Sequence, residues 1–167
     1  MKKILVAFVT LTLVLTSLTM AFADKGESNG KGKGKKKSFQ LGVEVLLDEQ
    51  KHLIEGKRVG LITNPTGVDQ ELNSIVDRLY EDPDVELTAL YGPEHGVRGD
   101  AQAGEYVEFY IDESTGLPVY SLYGQTRKPT PEMLENVDVL LFDIQDVGTR
   151  FYTYIYTMAY AMEAAAE

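Results

Sequence analysis

Residues 137 to 146, Val-Asp-Val-Leu-Leu-Phe-Asp-Ile-Gln-Asp, form a nearly continuous apolar run. A strand with one face in water alternates apolar and polar residues. An unbroken run needs cover on both faces, which is the condition of strands in a parallel sheet. Shorter strand-like runs lie at Arg58 to Thr63, Val85 to Leu90 and Pro118 to Tyr123. Helical periodicity separates them. Gly42 to Glu55 carries Val43, Val45, Leu46, Leu47, Leu53 and Ile54 among charges and ends at Gly56. Leu72, Ile75, Val76 and Leu79 share one helix face, stopped by Asp82-Pro83-Asp84. Thr130-Pro131 supplies an N-cap and a first-turn proline. A last helix is expected from about Tyr152 to the end, and the polar stretch 105 to 118 as a loop or hairpin excursion. Strands alternating with helices in this way predict an α/β fold, a mostly parallel sheet with flanking helices.

In such sheets ligands bind beyond the carboxyl ends of the strands. Those ends hold Asn64-Pro-Thr-Gly, Gly92-Pro-Glu-His, Tyr123-Gly-Gln-Thr-Arg and the stretch from Asp143 to Arg150. The densest is Tyr91 to Gly104, with four glycines, a proline, Glu94, His95, Arg98 and Asp100. Glu94 has the placement of a general acid or base once partial burial raises its pKa. His95 suits proton sharing, substrate contact or metal ligation. Only one other histidine exists, His52, so a histidine-rich metal site is not expected and no metal or other cofactor is assigned. Asp143, Gln145 and Asp146 form a second acidic group. Asp146 equally suits capping through Gly148 and Thr149. Arg98, Arg127 and Arg150 share the rim, an arrangement that suits an anionic ligand, with internal ion pairing as the competing reading. Tyr152, Tyr156 and Tyr160 recur every four residues. Tyr156 and Tyr160 are expected in the core, and Tyr152 stays open as a rim residue.

The first 38 residues are of another kind. Lys2 and Lys3, an apolar run from Ile4 to Met20, and Ala21-Phe22-Ala23 have the form of a signal peptide spanning 1–23, which predicts export with cleavage after Ala23. Residues 24–38 are a Lys/Gly-rich stretch, expected to be a disordered linker whose charge suits peripheral association with an anionic cell wall. From Ser38 onward 24 acidic residues face 8 basic ones, which argues against a nucleic-acid partner. The chain has no cysteine, so the stability of an exported domain rests on packing. Residues 39–167 are assigned to one domain. The final Met162 to Glu167 lacks any helix-stop signal, so a further C-terminal portion is expected to be missing.

Five stretches together carry a resemblance: Gly60-Leu-Ile-Thr-Asn-Pro-Thr-Gly67, Tyr91-Gly-Pro-Glu-His-Gly-Val-Arg-Gly99, Leu117-Pro-Val-Tyr-Ser-Leu-Tyr-Gly124, Lys128-Pro-Thr-Pro131 and Phe142 to Tyr154. They resemble the bacterial exo-β-N-acetylmuramidase family, formerly a domain of unknown function, from about residue 41 to the end. The resemblance implies a Rossmann-like N-terminal domain, a smaller C-terminal domain absent here, and a site in the cleft between them. The implied activity is release of N-acetylmuramic acid from the non-reducing end of peptidoglycan fragments. Glycoside cleavage uses a carboxyl group to protonate the leaving oxygen and a second group at the sugar carbon. Glu94 is assigned as acid/base and Asp143 as second carboxylate, with assistance by the N-acetyl group as the alternative. Asn64, His95, Arg98, Gln145, Arg150 and Tyr152 are assigned to substrate contact, the arginines suiting the lactyl carboxylate. The competing function is a non-catalytic cell-wall or carbohydrate-binding module. A metal-dependent hydrolase using Glu94, His95 and Asp143 is disfavoured by the shortage of histidines.

Overall fold

The computed structural model describes residues 39–167, which form one compact unit, Phe39–Glu167. The expected signal peptide and linker lie outside the described residues. Helix α1 (Gly42–Glu49) is followed by a 3-10 turn (Lys51–Leu53), β1 (Arg58–Thr63), α2 (Ile75–Glu81) and β2 (Glu86–Gly92). Then come β3 (Tyr110–Ile111), β4 (Pro118–Ser121), the short α3 (Pro131–Leu134), β5 (Val139–Asp143) and α4 (Tyr154–Ala166). The sheet order is β3-β4-β2-β1-β5. β4, β2, β1 and β5 run parallel, and only the two-residue β3 is antiparallel, against β4. The α/β expectation therefore holds.

Both faces are covered, as the apolar runs require. Val59, Leu61, Leu87, Leu90 and Val119 pack with Val43 and Leu47 of α1 and with Ile75, Val76 and Leu79 of α2. The opposite face brings Ile62, Ala89, Tyr91 and Leu122 against Ala161 of α4, with Met133, Leu140 and Phe142 around them. Each fully buried large aliphatic side chain contributes about 1.5–3 kcal/mol, so these two layers hold the sheet.

Three local expectations change. The first helix breaks at Gln50 into the 3-10 turn rather than running to Glu55. α2 begins at Ile75, because the Ser74 hydroxyl accepts from the Val76 N–H and caps it there. Leu72 therefore lies before the helix, 78% exposed with φ 65°, and belongs to no apolar face. α4 begins at Tyr154, and its buried residues are Tyr154, Thr157 and Ala161. Tyr156 is 63% exposed, so the tyrosine stripe is not the core face.

The topology fixes where a ligand can sit. From β1 the chain moves outward through β2 to β4, then returns to place β5 on the other side of β1. The strand order thus reverses between β1 and β5, and that switch point opens the crevice at the carboxyl ends. Thr63 pairs with Asp143 there, and the Thr63 hydroxyl donates to the Asp143 carbonyl at 2.8 Å. Gly67 closes over the same spot: a Cβ on it would collide with Thr63 Oγ1 and lie 3.0 Å from the Asp143 carbonyl oxygen.

Candidate active site

The loop after β2 is folded by its own functional residues. Gly96 donates to the Pro93 carbonyl at 3.0 Å, making a tight turn that leaves His95 at φ 76°. A non-glycine residue in this region stores strain, which is a feature of sites whose geometry is held by surroundings. His95 Nδ1 lies 3.1 Å from the Ala101 carbonyl. A carbonyl only accepts, so Nδ1 is the donor in this contact. Glu94 Oε1 accepts from the Gly104 N–H at 3.0 Å. The two side chains named first from sequence therefore clasp the ends of the excursion between them.

Glu94 has a second partner. The Tyr123 phenol, just beyond β4, is held above its usual pKa chiefly by the Glu94 carboxylate beside it. Tyr154, buried at the start of α4, lies within reach of the same charge. Burial raises the Tyr154 pKa most, a hydrogen bond from Asn64 opposes that, and the charges of Glu94 and Asp146 add to the rise. Tyr152 meets Tyr154 edge-on, ring centroids 5.7 Å apart.

Asn64 braces this group from β1. It is buried, and its Oδ1 accepts from the Thr66 N–H at 3.0 Å and the Thr66 hydroxyl at 2.6 Å. Thr66 Oγ1 in turn accepts from the Gln145 N–H at 2.9 Å. The loops after β1 and β5 and the first turn of α4 are thus one hydrogen-bonded unit. Gly99, at φ 79°, packs so closely on Pro65 that any Cβ would strike its ring, which joins the β2 loop to the β1 loop.

Two sequence assignments are revised. The Arg98 guanidinium makes a two-pronged pair with Asp112, both contacts 2.9 Å, and reaches Asp77 as well. Its fork is filled by internal carboxylates, so the ion-pairing reading replaces substrate contact. Asp143 follows the strand alternation of Leu141, which packs on the α1/α2 face, whereas Leu140 and Phe142 face α4. Its carboxyl group is half-buried without a hydrogen-bond partner among the described residues, and desolvation pushes its pKa up. It stands at the switch point but not in the Glu94 group. Asp146 caps its own turn, accepting from Gly148 N–H at 2.6 Å. Gln145, Arg150 and Tyr152 line the exposed rim beyond β5.

A cavity of about 400 Å³ is lined by Leu122, Tyr123, Arg127, Thr153, Tyr156, Thr157 and Tyr160. Tyr123 belongs to both its wall and the Glu94 pair. Tyr123 and Tyr154 were not singled out from sequence. Tyr123 lies within the Leu117-to-Gly124 motif, and Tyr154 is out of phase with the more conspicuous 152/156/160 spacing. Among the described residues no cluster of three or more Asp, Glu or His converges on a point where a metal would sit.

Residues 59–167 match the family model described as exo-β-N-acetylmuramidase NamZ, N-terminal. The chain is 71% identical over 132 residues to the peptidoglycan β-N-acetylmuramidase NamZ of Bacillus subtilis strain 168, a match covering 79% of this chain and 32% of that protein. Among solved structures it is similar to two DUF1343 family proteins from Bacteroides fragilis. One has 64% identity and a TM-score of 0.69, covering 76% of this chain and 31% of that one. The other has 34% identity and a TM-score of 0.61, covering 77% and 32%. The chain thus spans about a third of the length of the relatives it matches.

Proposed function

The chain belongs to the family of NamZ exo-β-N-acetylmuramidase N-terminal domains, and on that premise we propose that it forms one wall of a glycosidase site that releases N-acetylmuramic acid from the non-reducing end of peptidoglycan fragments. The observation that carries the reading is the Tyr123 bridge: one side chain both lines the cavity and feels the Glu94 carboxylate. A carboxyl group oriented by the Gly104 N–H, with a phenol of the cavity wall beside it, is suited to proton transfer to and from a glycosidic oxygen.

Glu94 is the acid/base in this scheme. His95, held through Nδ1 by the Ala101 carbonyl, and the buried Tyr154 position hydroxyl groups around it. Arg150, Gln145 and Tyr152 contact substrate from the open rim. Asp143 points to the other sheet face, so the second chemical role falls to the substrate's own 2-acetamido group or to a residue outside this chain. Export fits this reading: the signal-peptide pattern ending at Ala23 would bring the protein to where peptidoglycan is, and the basic stretch 24–38 would lend peripheral attraction to the wall.

The test uses the full-length protein on defined oligomers alternating N-acetylglucosamine and N-acetylmuramic acid, with products resolved by mass spectrometry. Stepwise loss of N-acetylmuramic acid from the non-reducing end is expected. Saturable binding with no product would instead favour the non-catalytic wall-binding module.

A further inference from the structure

We propose that Arg127 is the specificity anchor of this site: its guanidinium pairs with the lactyl carboxylate and makes the cavity select N-acetylmuramic acid over N-acetylglucosamine. The proposal rests on the glycosidase reading above and adds to it the group that chooses the sugar.

The first support is how the arginines are partnered. The sequence has five, all within the described residues. Arg58 is paired with Asp138, Arg78 with Asp69, and Arg98 with Asp112 and Asp77. Arg127 and Arg150 have no ion-pair partner among the described residues. From Ser38 onward the chain carries 24 carboxylates, so a guanidinium left without one is not explained by a shortage of partners.

Position separates the two free arginines. Arg127 lines the cavity of about 400 Å³, and Arg150 does not. Arg127 acts electrostatically on Tyr123, the phenol beside Glu94. Cation and acid thus both act on one phenol. A sugar whose glycosidic oxygen meets Glu94 carries its lactyl ether on C3, two carbons from the anomeric centre, and can direct it toward Arg127.

The wall chemistry sets the selectivity. Leu122, Tyr156 and Tyr160 share the cavity wall with Arg127, which is itself exposed and open to an incoming anion. A carboxylate entering the cavity can make a charge-assisted, two-pronged contact with it. Muramic acid differs from glucosamine by its lactyl ether, so the analogue without it leaves the cation without a partner. Sites built around a polar partner reject the analogue lacking it far more strongly than apolar pockets reject a methylene.

The experiment compares full-length wild type and Arg127→Met on aryl β-glycosides of N-acetylmuramic acid, of its methyl ester and of N-acetylglucosamine. Arg127→Met is expected to lower kcat/KM on the free acid roughly 100-fold and to leave the ester and the glucosamine glycoside within about twofold. Arg127→Lys recovers part of the loss on the acid only. Equal losses on all three substrates, or none on the acid, would overturn the proposal. If wild type cleaves none of them, the glycosidase reading fails separately. Calorimetry with N-acetylmuramic acid then decides: wild type should bind at least ~10-fold tighter than Arg127→Met, and equal affinity or no binding by wild type refutes the anchor.

Discussion

Arg98 was assigned to substrate from its place in the sequence, and the structure gives it a different task with a measurable size. Consider Arg98→Met, which keeps most of the side-chain volume and removes the charge. Asp112 is only 4% exposed, while Arg98 is 27% and Asp77 44% exposed. The Asp77 arm is therefore close to a surface pair, worth about 0–1 kcal/mol. The Asp112 arm is different, since breaking a buried pair from one side leaves a charge stranded at about 3–5 kcal/mol. Thr115 still donates to Asp112 from its N–H at 3.1 Å and its hydroxyl at 2.7 Å, so the lower end applies. We expect a net loss of about 3 kcal/mol.

The pH dependence follows from the same contact. Arg98, more than any other group, holds the Asp112 pKa below the usual value. A depressed carboxyl contributes stability that is present above the unfolded-state pKa and is lost as pH falls through the folded value. Without Arg98 that acid-side slope flattens. Urea unfolding of the full-length protein, followed by hydrogen exchange of the β3–β4 amides from pH 2 to 7, reads both effects. The double variant Arg98→Met/Asp112→Asn should recover part of the loss, because the stranded charge is gone. KM for the folded fraction should not move. Undiminished stability with a raised KM would refute the internal-pair reasoning and restore Arg98 to the substrate.

Gly67→Ala should lower the melting temperature by several degrees, since the new Cβ meets Thr63 Oγ1 and the Asp143 carbonyl; an unchanged melting curve would mean that the loop has room to shift. Asp143→Asn should stabilise the protein at pH 7 and have no effect below about pH 4. A carboxyl raised by burial binds more protons when folded, so its cost grows as pH rises. A stability difference that instead widens toward low pH would contradict this. Tyr123→Phe removes the phenol hydroxyl beside Glu94 and should cut kcat about tenfold with little change in KM, and a pure KM effect would make Tyr123 a binding residue only.

The layers were legible because burial on both faces leaves unbroken apolar runs, as at 139 to 143 and 58 to 63. The parallel order then put every rim loop at one end. What the sequence did not reveal was direction and partnership. The apolar spacing from Leu72 looked helical, yet a capping hydroxyl at Ser74 decided where the helix began. Arg98 stood beside Glu94 in sequence, but its partners, Asp77 and Asp112, lie 21 and 14 residues away. Asp143 shared a motif with the site, while strand alternation turned its side chain to the other face. Tyr154 was hidden because its importance comes from contacts with Asn64 and Glu94, which are distant in the chain. Arg127 was noted as a rim cation, and only the fold separated it from Arg98 by showing which guanidinium was free.

The most direct measurement of the central assignment is turnover by full-length Glu94→Gln on an aryl β-glycoside of N-acetylmuramic acid, with substrate affinity measured in parallel. Glutamine keeps the shape and can still accept from the Gly104 N–H, but it cannot exchange a proton with the glycosidic oxygen. A fall in kcat of roughly 10³-fold with affinity nearly intact is expected. Turnover at the wild-type rate would contradict Glu94 as the acid/base and leave the cavity as a binding site alone.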